Sequence, residues 1–205
     1  MSSMGGQMGG ATPNVMQELV TPYLWWMGFL MMFFLPMLTM RLFAEERHNH
    51  TLPLLISAPI SMWDIVIGKF LSLMMLWVFV IALLTMLSCS LGGGGILDYG
   101  LIVSNAIGLL LITACFSSAG LYISSLSSQP VVAAIGCVGM FLGLWMIDWL
   151  GEEALGGLHQ LSLLKYFRLF NQGVIDSFGV VYGILFTLSF LVLAVWHLDG
   201  ERVHG

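Results

Sequence analysis

Long stretches with no charged side chain alternate with short clusters that hold nearly all of the charge. Nothing is charged from residue 19 to 40, and Glu18 and Arg41 stand at the two ends of that run. A second apolar stretch follows Lys69 and reaches Leu91, where Gly92, Gly93, Gly94 and Gly95 interrupt it. Between Tyr99 and Ile147 charge is again absent, over a length too great for one crossing of a bilayer and right for two. The cluster Ser124, Ser125, Ser127, Ser128, Gln129 and Pro130 divides it, and a last apolar run covers 178–197. A hydrocarbon layer about 30 Å thick takes about 20 residues of helix, because every backbone polar group must be satisfied inside the segment. The pattern predicts an all-α polytopic membrane protein with five spans, at 19–40, 70–91, 100–123, 130–148 and 178–197.

Local chemistry refines this outline. Pro22 falls in the opening turn of the first span, where a missing N–H costs nothing, while Pro36 lies late enough to kink the helix or line a packed cavity. Tyr23, Trp25 and Trp26 suit an aromatic belt at the outer interface. Ser61 followed by Asp64 is a capping-box pair for the second span. Four glycines and Asp98 make a short hairpin. After Asp148 come Gly151, Glu152, Glu153, Gly156 and Gly157, and then LSLLKYFRLFNQGVIDS, too short and too charged to span. Residues 158–177 therefore read as an interfacial or re-entrant helix. The first 18 residues form a Gly/Ser/Met tail without the basic and apolar regions of a signal peptide, and 199–205 form a second tail.

Composition agrees with a membrane protein: 59% of the 205 residues are hydrophobic and 8% charged, against roughly 25% charged in ordinary globular chains. With a formal charge of -5 and no basic patch, there is nothing to neutralise phosphates, which excludes a nucleic-acid partner. Cys89, Cys115 and Cys137 are isolated in apolar runs and read as small buried residues. The 15 methionines invite Cu(I), which favours thioethers, but no Cys, His or Met ligands converge in one span. His48 and His50, two residues apart, read as polar loop residues, and Asp148 as a wetted span end. No metal site is expected. Orientation follows Lys and Arg: Arg41, Arg47, Lys69 and Arg202 fall on one side, Lys165 and Arg168 on the other. The positive-inside rule places the polar loop 41–69 and the C-terminus in the cytoplasm and Met1 outside.

That loop, RLFAEERHNHTLPLLISAPISMWDIVIGK, is the largest polar feature of the chain. Thr51 can cap a short helix that tolerates Pro53 in its first turn, carries Leu52, Leu54, Leu55 and Ile56, and ends at Pro59. PMLTMRLFAEER, continued by TLPLLISAPISMWDIVIGKF, resembles the signature of ABC-2 type permeases, in the branch of gliding-motility-associated and nitrous-oxide-reductase-maturation (NosY-like) proteins. SSLSSQPVVAAI and KYFRLFNQGVIDSFGVVYGI resemble that family's short cytoplasmic turn and the external re-entrant segment before its last helix. The resemblance implies a single transmembrane domain over 19–198 in a bacterial inner membrane. It implies that Glu45, Glu46, Arg47, Thr51, Leu52, Leu54, Leu55 and Pro59 couple to a separate ABC ATPase subunit, which holds the ATP and Mg. A second permease chain, identical or different, would complete the transporter, with membrane lipid around it and export of a substrate that the motif does not name. Two residues depart from the family pattern: His50 stands where it has Gly, and Pro53 where it has Glu. The family has six spans after an amphipathic helix, and the tail here resembles its first external loop. The first span is accordingly expected to be cut away or supplied by an accessory membrane-anchored subunit.

Gly139 and Gly143 form a GxxxG on the fourth span, with Gly136 nearby, a spacing that lets backbones approach closely. Packing within one chain is the plainer reading, and the seam between two permease chains the sharper one. The leading function is thus that of an exporter permease whose ATP is hydrolysed elsewhere. No GxxxxGK[ST] occurs in this sequence, which expects no cofactor and no catalytic residue of its own. An intramembrane enzyme would need Ser with His or paired carboxylates inside spans, and only His197 borders one. A haem-carrying anchor would want two His in facing helices.

Overall fold

In the computed structural model the described residues are 21–49, 51, 61–91, 99–155, 163–174 and 176–204. Every element among them is a helix: α1 (Thr21–His48), α2 (Met62–Leu91), α3 (Tyr99–Leu126), α4 (Pro130–Leu155), α5 (Leu163–Asn171) and α6 (Ser177–His204). Five of these, all but α5, are long and apolar enough to cross a membrane. The glycine hairpin with Asp98, the tail before residue 21, His50 and the first residues of the segment 158–177 lie outside the described residues.

The helices run past the ends of the apolar stretches. α1 continues beyond Met40 to His48, and α2 begins at Met62, ahead of Phe70. Phe43 and Ala44 are fully buried, so packing carries the helix through a charged sequence. Arg47 and His48 then occupy the last turn, where positive charge favours the carbonyl end of a helix. Ser61 caps α2 by accepting the Trp63 amide on its hydroxyl (3.3 Å). Asp176 does the same for Phe178 at the start of α6 (3.2 Å). The turn between α3 and α4 is shorter than the serine cluster suggests. Ser124 and Ser125 belong to α3, where both are buried, and only residues 127–129 separate the two helices.

α3 is the axis of the bundle and touches every other helix. Its buried face is rich in small polar residues, among them Ser104, Asn105, Thr113, Ser117, Ser118, Ser124 and Ser125. Several satisfy themselves along the helix: Thr113 donates to the Leu109 carbonyl (2.8 Å), Ser118 to Cys115 (2.8 Å) and Ser125 to Tyr122 (2.7 Å). Small side chains also let neighbours come close. A Cβ at Gly120 of α3 would lie 2.6 Å from the Thr39 hydroxyl of α1.

Two apolar clusters fill the bundle. One joins Met31, Leu35, Trp77, Ile81, Leu109, Phe116 and Phe141, together with Phe167 of α5. The other joins Phe43 near the end of α1, Met62 and Val66 at the start of α2, Leu121 late in α3 and Leu198 late in α6. These four helix ends therefore share one end of the molecule.

The short helix α5 closes the opposite end. Its aromatic side chains enter glycine positions on three spans: a Cβ at Gly28 would meet Phe167 at 2.7 Å, one at Gly108 would meet Phe170 at 2.6 Å, and one at Gly179 would meet Tyr166 at 2.9 Å. Its C-terminus is a Schellman turn. Gly173 takes φ 83°, the Val174 amide bonds the Leu169 carbonyl (3.1 Å) and the Gly173 amide that of Phe170 (3.0 Å). Ser104 adds a hydroxyl bond to the Phe170 carbonyl (2.9 Å). Burial pushes the Tyr166 phenol above its ordinary pKa, and the nearby Asp176 carboxylate adds to the effect.

Candidate functional site

Beyond Met40, α1 presents two unlike faces. Arg41, Glu45 and His48, at positions i, i+4 and i+7, are exposed along one line. Phe43 and Ala44 are buried on the other side, with Leu42, Glu46 and Arg47 half-buried beside them. Neighbours in sequence stand about 100° apart on a helix, which is why Glu45 and Glu46 have different surroundings.

Glu46 faces α2. Its Oε1 lies 2.6 Å from Nζ of Lys69, a side chain only 16% exposed. The same ammonium donates to the Leu42 carbonyl and stands 4.3 Å from the centre of the Phe43 ring. Lys69 thus meets a carboxylate, a carbonyl and an aromatic face, all from α1. A partly buried ammonium is tolerated where it is paired and hydrogen-bonded in this way, and the ring quadrupole adds to the attraction.

On its other flank the extension is held by α3. Ser124 Oγ accepts the Phe43 and Ala44 amides, each at 3.1 Å, and donates to the Met40 carbonyl at 3.2 Å. A hydroxyl has one donor and two acceptor sites, and here all three engage the backbone of α1. One turn earlier, the Thr39 hydroxyl bonds back to Leu35 (2.9 Å) against the open position of Gly120.

The extension ends at Thr51, whose amide and hydroxyl both donate to the Glu46 carbonyl (2.9 and 3.1 Å). The Thr51 hydroxyl thus closes the turn before it, and the helix it is expected to cap lies outside the described residues. Leu52, Leu54, Leu55 and Pro59 lie outside the described residues. Across the gap, Ser61, Trp63 and Asp64 are exposed, and Gly68 has open space around it. The structure brings Glu46 and Lys69 together, leaves Glu45 facing outward, half-buries Arg47 and folds Thr51 onto α1. Gly136, Gly139 and Gly143 belong to α4 and take no part in this site. A Cβ at Gly136 would reach Ile123 at 3.0 Å, while Gly139 and Gly143 have nothing within 4 Å. Packing among the described residues therefore does not account for those two. On another face of α4, Val138, Phe141, Leu142 and Trp145 join Phe29 and Phe33 of α1 around an apolar groove of roughly 50 Å³.

Sequence reasoning overlooked Lys69 as a partner of Glu46, and placed Ser124 in a turn. A single Lys two turns inside an apolar helix is the available signal for the first. Nothing in the sequence separates Ser124 from its neighbouring serines. Among the described residues, no three His, Cys, Asp or Glu side chains converge as metal ligands would.

The family model for ABC-2 family transporter proteins matches residues 4–196. The chain belongs to that family. Searches of curated proteins and of solved structures return no match. This ABC-2 permease is accordingly an integral membrane protein and the membrane component of an ABC transporter, a class that works with an ABC ATPase subunit.

Proposed function

We propose that this ABC-2 permease couples ATP hydrolysis by a separate ATPase to export of a substrate across a bacterial inner membrane. Coupling runs through the ends of α1 and α2 and the segment 52–60 between them. The observation that carries this reading is the divided extension of α1: Arg41, Glu45 and His48 face outward from a helix whose other face is fastened to α2 and α3. A docking surface has to be both exposed and mechanically continuous with the spans, and this element is both. The resemblance of the loop motif to gliding-motility and NosY-like permeases supports the branch and the direction of transport. Charge supports the sidedness. Arg41, Arg47 and Lys69 lie at the end shared by α1, α2, α3 and α6, whereas Lys165 and Arg168 lie on α5 at the other.

The test is co-purification with an ABC ATPase encoded beside this gene. Glu45→Lys is expected to release the ATPase from an otherwise intact permease. Retention of the ATPase by Glu45→Lys would remove the outward face of α1 from the docking surface.

A second observation supports pairing of two permease chains. Gly139 and Gly143 are exposed on α4, and a Cβ at either would meet none of the described residues within 4 Å. Close backbone approach at GxxxG drives helix association in lipid, where burial of apolar surface gives no advantage. Cysteines placed at Gly139 and Gly143 should give a crosslinked dimer in membranes. A crosslinking yield no higher than that of a cysteine at Leu185, on the exposed face of α6, would sink the seam.

A further inference from the structure

α1 and α2 hardly approach each other through their backbones; each packs on α3 instead. They are joined at one end, where the Lys69 side chain of α2 engages three separate groups on α1. Those groups, Leu42, Phe43 and Glu46, span a single turn just inside the exposed Arg41, Glu45 and His48.

We propose that Lys69 is a positioning residue: with Glu46 it pins the extension of α1 to the first turns of α2, so that a displacement of the segment between them moves both spans as one body. This rests on the reading that the segment meets an ATPase. Glu46 then works inside the permease and Glu45 outside it, although the two are adjacent and chemically alike.

The arrangement favours such a pin over an ordinary surface ion pair. Exposed pairs contribute little because water competes for both partners and two long side chains must be ordered. Lys69 is largely shielded, and its three contacts differ in kind, so loss of one leaves the others to hold the ammonium. Ser124 fastens the same turn of α1 to α3 by its backbone. The extension consequently cannot tilt against α3 easily, and the pin fixes where α2 stands relative to it. Coupling between distant sites requires an element that both can bias, and two spans locked at one end meet that condition.

The experiment uses the full chain in lipid nanodiscs with spin labels at His48→Cys and Asp64→Cys, both exposed positions, in a Cys89→Ser background; Cys115 and Cys137 are buried. Pulsed EPR should give a narrow distance distribution for the native pin, a clearly broader one for Lys69→Met, and a narrow one again for Lys69→Arg, which keeps the charge and the ring contact. An unchanged distribution in Lys69→Met would overturn the pin, and so would failure of Lys69→Arg to restore what Lys69→Met loses.

The second readout adds the ATPase. Labels at Asp64→Cys and Gly200→Cys, at the same end of the molecule, should shift on ATP binding in the native permease, and the shift should vanish in Lys69→Met while the ATPase still co-purifies. Release of the ATPase by Lys69→Met, or a full shift without Lys69, would refute the positioning role. The label pair across α1 and α2 requires no ATPase. A narrow native distribution that Lys69→Met broadens, combined with no ATPase binding at all, would therefore count against the docking reading alone.

Discussion

Ser124 and Ser72 are both helical serines that bond a backbone carbonyl, yet removal of the hydroxyl should affect them differently. Ser72 is exposed and donates to Lys69, one turn back on its own helix (2.7 Å), where water can replace it. Ser124 is fully buried and links three backbone groups of α1 to α3. Ser124→Ala removes buried cross-helix bonds to backbone groups that keep their partners within α1, which costs about 1 kcal/mol, whereas Ser72→Ala should fall within about 0.5 kcal/mol of the native protein. Thermal unfolding in one mild detergent compares them directly. Equal melting temperatures would mean that the Ser124 contact contributes nothing to stability.

Glycines divide in the same way at the level of elements. At Gly108 a new Cβ would lie 2.6 Å from Phe170 of α5, while at Gly68 it would meet nothing within 4 Å. Gly108→Leu should destabilise the protein by about 1–3 kcal/mol through overpacking, and Phe170→Ala introduced with it should recover part of the loss. Gly68→Ala should be neutral or stabilising by up to about 1 kcal/mol, since alanine favours a helix interior. Additive losses from Gly108→Leu and Phe170→Ala, measured as a double-mutant cycle, would show that the ring and the glycine position do not meet. Helix number was legible in the sequence because uncharged runs are long and their breaks are sharp. Helix ends were harder to read: the charges from Arg41 to His48 look like loop, and the packing of Phe43 and Ala44 that continues the helix depends on residues far along the chain. The acidic pair at the end of the first span was equally visible. Its division into one outward and one inward carboxylate required the position of Lys69, which no local pattern supplies.

For the whole molecule, the shared end of α1, α2, α3 and α6 makes a prediction about sidedness. Single cysteines at Asp64 and Gly200 should react with an impermeant thiol reagent from the same side of sealed vesicles, and one at Arg168 from the other side. Labelling of all three from one side would contradict the threading. The central place of α3 also bears on how the protein is made. α6 packs along α3 more extensively than any other described helix, yet it leaves the ribosome after the other five. Until then the flank of α3 that carries Leu111, Cys115 and Tyr122 has no permanent neighbour. Because Ser118 and Ser125 near that flank bond carbonyls of their own helix, these hydroxyls can wait in lipid at little cost. The polar character of α3 is thus compatible with assembly one helix at a time, with α6 arriving on a partner that has already been placed.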